Sequence, residues 1–140
     1  MEFKKLSSND VDSIVTLGCE LSPYTPVETI RTRMSEMFQL GNYHCFGVIR
    51  DGYVIGISSA WASIRLYSGK QLEIDNFIIS KQYQAQGIGK DFLCYIETWA
   101  KKEGFKTIEL NTFVTNAGSH KFYFNQGYTI QGYQFQKPLQ

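Results

Sequence analysis

Seven residues, Gln84-Ala85-Gln86-Gly87-Ile88-Gly89-Lys90, lie between two segments of different hydrophobic period and restrict the folds open to this chain more than any other feature. Before them, Leu72-Glu73-Ile74-Asp75-Asn76-Phe77-Ile78-Ile79 begins in strict alternation and ends wholly apolar, as a strand does in passing from the edge of a sheet toward its centre. After them, Phe92, Leu93, Ile96, Trp99 and Ala100 recur at helical spacing and define one apolar face, with Gly104 placed to stop the helix. Thr107 to Phe113 then alternates again. Strand, helix and strand in this order form a crossover unit whose two strands are parallel neighbours.

A strand-to-helix turn of this composition is suited to an anion. Gly87 and Gly89 let the backbone bend tightly and approach a ligand closely. The first N–H groups of the helix have no internal partner, and the positive end of the helix dipole points the same way. A pyrophosphate is the natural occupant. Two familiar nucleotide motifs fail on spacing. The dinucleotide fingerprint needs a third glycine where this chain has Phe92, and no segment supplies the Gly-Lys-Ser/Thr of a P-loop.

The remaining pattern supplies the layers around this unit. After a short apolar start at Phe3, the residues Val11, Ile14, Val15 and Gly18 follow helical spacing, with Ser8 or Asn9 as cap. A second helix is predicted with Thr25 as cap, Pro26 at its first position and Glu28 completing a capping box before Ile30, Met34, Met37 and Phe38; Gly41 ends it. Cys45 to Arg50 and Tyr53 to Ala62 read as strands joined by an Asp51-Gly52 hairpin turn. Ser68-Gly69-Lys70 turns the chain into the strand that precedes the heptapeptide, giving a three-stranded antiparallel meander. Asn116 can cap a short helix from Ala117 to Asn125, closed by Gly127, and Tyr128 to Gln136 alternates as a last strand. The expected fold is α+β: a central, mostly antiparallel mixed sheet with one splayed parallel pair and helices on both faces. At 140 residues, without repeats or linkers, residues 1–140 are expected to form a single domain.

Gln84-x-x-Gly87-x-Gly89, followed after one helix and one strand by Asn116-Ala117, Phe122-Tyr123 and Gly127-Tyr128, resembles the GNAT N-acetyltransferase superfamily over Leu72 to Tyr128. The first seventy residues resemble it only in their order of elements. The resemblance implies a GNAT-like fold and acetyl-CoA as cosubstrate. It implies that the backbone N–H groups of Gln86, Gly87, Ile88, Gly89 and Lys90, with Gln84, hold the pyrophosphate. The pantetheine arm would pair with the backbone of Phe77, Ile78 and Ile79, and a backbone N–H near Ile78 would polarise the thioester carbonyl. Asn116 would reach the coenzyme, and Tyr123 would protonate the departing thiolate. Transfer would be by direct attack of an amine in a ternary complex.

The residue chemistry is compatible with these roles. A tyrosine hydroxyl, with a reference pKa of about 10, is a proton donor at neutral pH, although Tyr123 beside Phe122 and Phe124 also reads as packing. Glu73 and Asp75 share a strand face at roughly 6.6 Å spacing and could draw in a cationic amine and accept its proton; the same pair also reads as a solvated face. As a helix cap, Asn116 needs no coenzyme role. Ser22-Pro23-Tyr24-Thr25, with Trp61 and Arg65, is the expected acceptor-recognition region. His44 and His120 stand too far apart in sequence to suggest a metal pair, and none is expected. Cys94, between Leu93 and Tyr95 in the predicted helix, reads as a buried small apolar residue.

Composition excludes other classes. A net charge of +1 argues against a nucleic-acid backbone or a membrane surface as main partner. An odd, scattered set of three cysteines gives neither a disulfide framework nor a zinc pattern, which fits a reducing cytoplasm. No signal peptide or membrane span is evident. The expected partners are acetyl-CoA and a primary amine, most simply a small molecule, and the sequence leaves room for a homodimer. Two other functions fit the same residues: a non-catalytic acyl-CoA-binding sensor, and an acetyltransferase acting on a protein lysine or N-terminus.

Overall fold

In the computed structural model, which describes all 140 residues, the chain separates into two units, Met1–Glu109 and Leu110–Gln140. The first unit carries β1 (Glu2–Leu6), α1 (Val11–Leu21), α2 (Val27–Phe38), β2 (Tyr43–Arg50), β3 (Tyr53–Arg65), β4 (Gly69–Ile79) and α3 (Ile88–Lys102); β5 (Thr107–Leu110) straddles the boundary. The sheet order is β1-β2-β3-β4-β5. The first three pairings are antiparallel, and β5, returning through α3, supplies the one parallel pair expected of a crossover. The β2–β3 turn is the expected Asp-Gly hairpin: Asp51 and Gly52 are both left-handed, with φ of 51° and 81°, as a tight turn matched to the strand twist requires.

Alternation along the strands divides the core of this unit into two layers. Cys45 and Ile57 face α1 and α2 and pack with Leu6, Ile14, Ile30 and Met34. His44 and Phe46 project to the other face, where the Trp99 ring of α3 meets both, at 5.0 and 4.9 Å between centroids. Phe92 is fully buried there against Phe3 of β1 and Phe77 of β4.

Six local expectations are corrected. The start at Phe3 is a full edge strand, β1, paired from Glu2 opposite Ile49 to Leu6 opposite Cys45. It leads into a 3-10 turn, Ser8–Asp10, whose capping box uses Ser7 and Asp10 in place of a cap at Ser8 or Asn9. α2 has no side-chain cap, because the Thr25 hydroxyl is engaged with Ser22 Oγ at 2.7 Å and Pro26 occupies the cap position. Glu28 instead lies near Arg31, and the helix ends at Phe38, before Gly41. β5 stops at Leu110, short of Phe113. Cys94 is exposed: at 100° per residue it falls on the side of α3 opposite Phe92, Leu93 and Ile96.

The second unit contains α4 (Ala117–Asn125). Its N-terminus is capped as expected, Ser119 N–H donating to Asn116 Oδ1 at 3.2 Å. At its other end the N–H groups of Gln126 and Tyr128 both donate to the Tyr123 carbonyl at 3.0 Å. The predicted strand from Tyr128 to Gln136 does not form: these residues carry no regular structure, and Ile130, Tyr133 and Phe135 are exposed. Alternation allows a strand, but only a ladder partner makes one.

Candidate active site

The turn between β4 and α3 is held at both ends. Ser80 N–H donates to Ile55 O at 2.7 Å, and the Glu20 carboxylate of α1 accepts from Ser80 Oγ and Lys81 N–H, each at 3.3 Å. Gln84 Nε2 donates to Ile79 O at 2.8 Å, so this side chain ties the loop back to the end of β4. Between these anchors the backbone reverses handedness twice, at Ala85 (φ 62°) and Gly87 (φ 81°). A left-handed alanine costs about 1–2 kcal/mol, and such strain concentrates where backbone groups must converge. Gly87 carries no such penalty, and the space where its Cβ would stand is open.

α3 starts directly at Ile88 with no side chain capping it, and its first closing bond is Asp91 N–H to Gly87 O at 3.3 Å. The N–H groups of Ile88, Gly89 and Lys90 therefore have no intrahelical partner. They follow two left-handed residues and lie together at the positive end of a 15-residue helix, an arrangement of donors chemically suited to an anion. The glycines were legible in the sequence. The Ala85 conformation was not, because nothing about an alanine side chain announces it.

β4 brings the carboxylates together as the alternation predicts: Glu73 lies opposite Trp61 and Asp75 opposite Ser59, on one face of the sheet. Asp75 is exposed, and its Oδ1 accepts the N–H of Asn76 at 2.9 Å. Beyond it the side chains of Phe77, Ile78 and Ile79 pack inward, Phe77 on Phe92 at 5.4 Å and Ile78 against the α1–α2 layer. On β2, the Tyr43 ring stands between Trp61 and Phe38, at 4.7 and 5.2 Å, with its hydroxyl 2.6 Å from Ser59 Oγ. Burial, reinforced by Cys45, raises the Tyr43 pKa far above its ordinary value, so this phenol stays protonated. Sequence reasoning missed Tyr43, Ser59 and Asn76. An asparagine inside a β-rich run, where the apolar phase shifts from Leu72 and Ile74 to Phe77 and Ile79, is the signal that marks the last of them.

Of the expected acceptor region, Tyr24 is almost fully exposed at 99% and Arg65 is exposed at the end of β3. His44 Nδ1 lies 3.1 Å from Lys5 Nζ, and burial followed by that lysine lowers its pKa. In the second unit, the Tyr123 ring meets Phe122 and Tyr128 edge-on at 5.1 and 5.6 Å, and burial pushes its hydroxyl up to about 12. Asn116 is the α4 cap, and His120 Nε2 lies 2.9 Å from Phe113 O. Asn116→Ala is expected to cost about 1 kcal/mol in thermal or urea unfolding, whereas Asn116→Asp, which keeps the accepting oxygen, stays within a few tenths of wild type.

The family model described as Acetyltransferase (GNAT) family matches residues 15–128, and the chain belongs to this family. The match begins in α1, well ahead of the signature residues. Among its relatives, the chain is 26% identical over 121 residues to the uncharacterized N-acetyltransferase YhdJ of Bacillus subtilis strain 168, covering 86% of this chain and 85% of that one. It is 26% identical over 140 residues to the aminoalkylphosphonate N-acetyltransferase of Salmonella typhimurium strain LT2, covering 99% and 91%. Its fold is similar to that of the aminoglycoside N-acetyltransferase AAC(6')-Iy solved in complex with CoA, with a TM-score of 0.86 at 15% identity, over 99% of this chain and 93% of that one. No helix is long and apolar enough to cross a membrane.

Proposed function

We propose that this chain transfers the acetyl group of acetyl-CoA to the primary amine of a small molecule, by direct attack within a ternary complex, with residues 1–140 working as one catalytic domain. The observation that carries the reading is the turn from Gln84 to Lys90. In a member of this family, two left-handed residues and an uncapped helix start present consecutive N–H groups to an anion. The fit to a pyrophosphate is chemical: a row of fixed donors at a positive helix end, with open space in front of Gly87.

Bound there, acetyl-CoA supplies the activated acetyl group and a thiolate leaving group. The backbone N–H groups of Gln86, Gly87, Ile88, Gly89 and Lys90 hold the diphosphate, and Gln84 fixes the loop that carries them. The backbone of Phe77, Ile78 and Ile79 pairs with the pantetheine arm as a sheet edge pairs with an added strand, and Asn116 adds a polar contact to the coenzyme. An N–H beside Ile78 polarises the carbonyl. A β4 carboxylate, Glu73 or Asp75, draws in the ammonium form of the acceptor and takes its proton, and Tyr123 donates a proton to the departing sulfur. Relatives named for an aminoalkylphosphonate and an aminoglycoside support a small amine as acceptor. Three cysteines without disulfides suit a reducing cytoplasm.

Calorimetry with CoA and thiol release over a panel of aminoalkylphosphonates, aminoglycosides and polyamines test this reading together. Wild type is expected to bind CoA and turn over at least one amine, and Gly87→Glu, which sets a carboxylate against the diphosphate, to weaken CoA binding by about a hundredfold. Equal affinity in the variant removes the turn from the site. Binding without turnover of any amine leaves a non-catalytic acyl-CoA module.

A further inference from the structure

The irregularity in β4 is tied across the sheet by side chains. Ser59 pairs with Asp75 and Ile57 with Ile78, so two residues of β4, Asn76 and Phe77, face Ser58 alone: a bulge with Asn76 left-handed at φ 51°. Asn76 Nδ2 donates to Ser59 Oγ at 3.1 Å, and Ser59 Oγ shares a 2.6 Å hydrogen bond with the Tyr43 hydroxyl. A polar chain thus runs from β4 through β3 to β2. Its middle member is only 2% exposed, and its far end is clamped between Trp61 and Phe38.

A chain of partly buried polar groups is a poor way to hold strands that their ladders already hold, but it is an effective way to fix direction, because each donor and acceptor accepts only a narrow range of angles. Asn76 is where direction matters. Its N–H is taken by its own neighbour Asp75, and the next two peptide groups, at Phe77 and Ile78, are aimed by whatever fixes Asn76.

We propose that Ser59 and Tyr43 are positioning residues for acetyl transfer, holding the Asn76 bulge so that the Phe77 N–H is aimed for the thioester carbonyl and the backbone that follows it for the pantetheine arm. This rests on the reading that the coenzyme arm lies along this stretch. Neither residue touches substrate; both act through Asn76.

The test combines amide exchange by NMR on the free protein with steady-state kinetics on Ser59→Ala, Tyr43→Phe and Ser59→Thr. Ser59→Ala is expected to speed exchange at Phe77 and Ile78 about tenfold and to lower kcat about tenfold, with KM for acetyl-CoA changed less than twofold, as befits an interaction that matters in the transition state. Tyr43→Phe, which keeps the ring packing, moves both readouts the same way by a smaller factor, and Ser59→Thr, which keeps the hydroxyl, restores both. A purely structural role would lower the melting midpoint and leave kcat per folded molecule unchanged. Unchanged exchange at both amides in Ser59→Ala and Tyr43→Phe overturns the proposal whatever the kinetics show. Faster exchange with wild-type kcat overturns the catalytic part. If wild-type protein releases no thiol with any amine, the transferase reading fails on its own, and with it the catalytic part of the proposal, while the exchange rates still decide whether the chain holds the bulge.

Discussion

Phe92→Ala is expected to remove about 3–5 kcal/mol of folding stability. The ring is fully buried and stacked from two sides, on Phe3 at 5.8 Å and on Phe77 at 5.4 Å. One α3 side chain thereby joins the edge strand β1 to the inner strand β4. Its loss leaves a cavity whose walls come from three elements, none of which can collapse into it without disturbing its own ladder or turn. Against a total of about 5–15 kcal/mol for a domain of ordinary stability, such a loss removes a large share of the folded margin. Urea unfolding measures it directly. Cys94→Ala on the same helix, exposed on the opposite side, is the matched control and is expected to stay within about 0.5 kcal/mol. A loss below about 1.5 kcal/mol for Phe92→Ala would mean that the two aromatic stacks are not part of the cooperative core.

Features set by local chemistry are legible in the amino-acid sequence: the Asp51-Gly52 turn, the α3 face through Phe92 and Ile96, the Asn116 cap and the Gly87 turn all depend on residues a few positions apart. Those that depend on a partner elsewhere in the chain are not. β1 is a string of charged residues around Phe3 and Leu6, and it becomes a strand only because β2 offers it a ladder. The reverse holds at Tyr128–Gln136, where alternation is present and no ladder is. The capping box expected at Thr25 does not form because a nearer partner, Ser22, takes the hydroxyl. In the candidate site, the glycines and the paired carboxylates are legible because their meaning is positional. The Asn76 bulge and the left-handed Ala85 are not, since each is a backbone state that surrounding structure imposes on a residue that does not demand it.

Tyr123→Phe is expected to lower kcat by about a hundredfold to a thousandfold while leaving KM for acetyl-CoA within about twofold, the signature of losing a proton donor that acts only as the sulfur departs. The substitution keeps the ring, so the edge contacts with Phe122 and Tyr128 persist and the melting midpoint should hardly move. Burial keeps this hydroxyl protonated: by disfavouring the phenolate it pushes the pKa up to about 12. The wild-type rate should therefore show no alkaline decline from Tyr123 until pH approaches that value. The same shift has a stability consequence of fixed sign. An unfolded tyrosine ionises near about pH 10, so between there and about pH 12 the unfolded chain has released a proton that the folded chain retains. Tyr123 thus contributes its full share of stability below about pH 10 and loses it as pH rises toward 12, and that alkaline loss should be smaller in Tyr123→Phe. The kinetic and stability arms separate chemistry from packing. A tenfold or smaller drop in kcat, with an unchanged pH–rate profile, would move the protonation of the thiolate to solvent; a large drop accompanied by a fall in the melting midpoint at pH 7 would make Tyr123 a packing residue first.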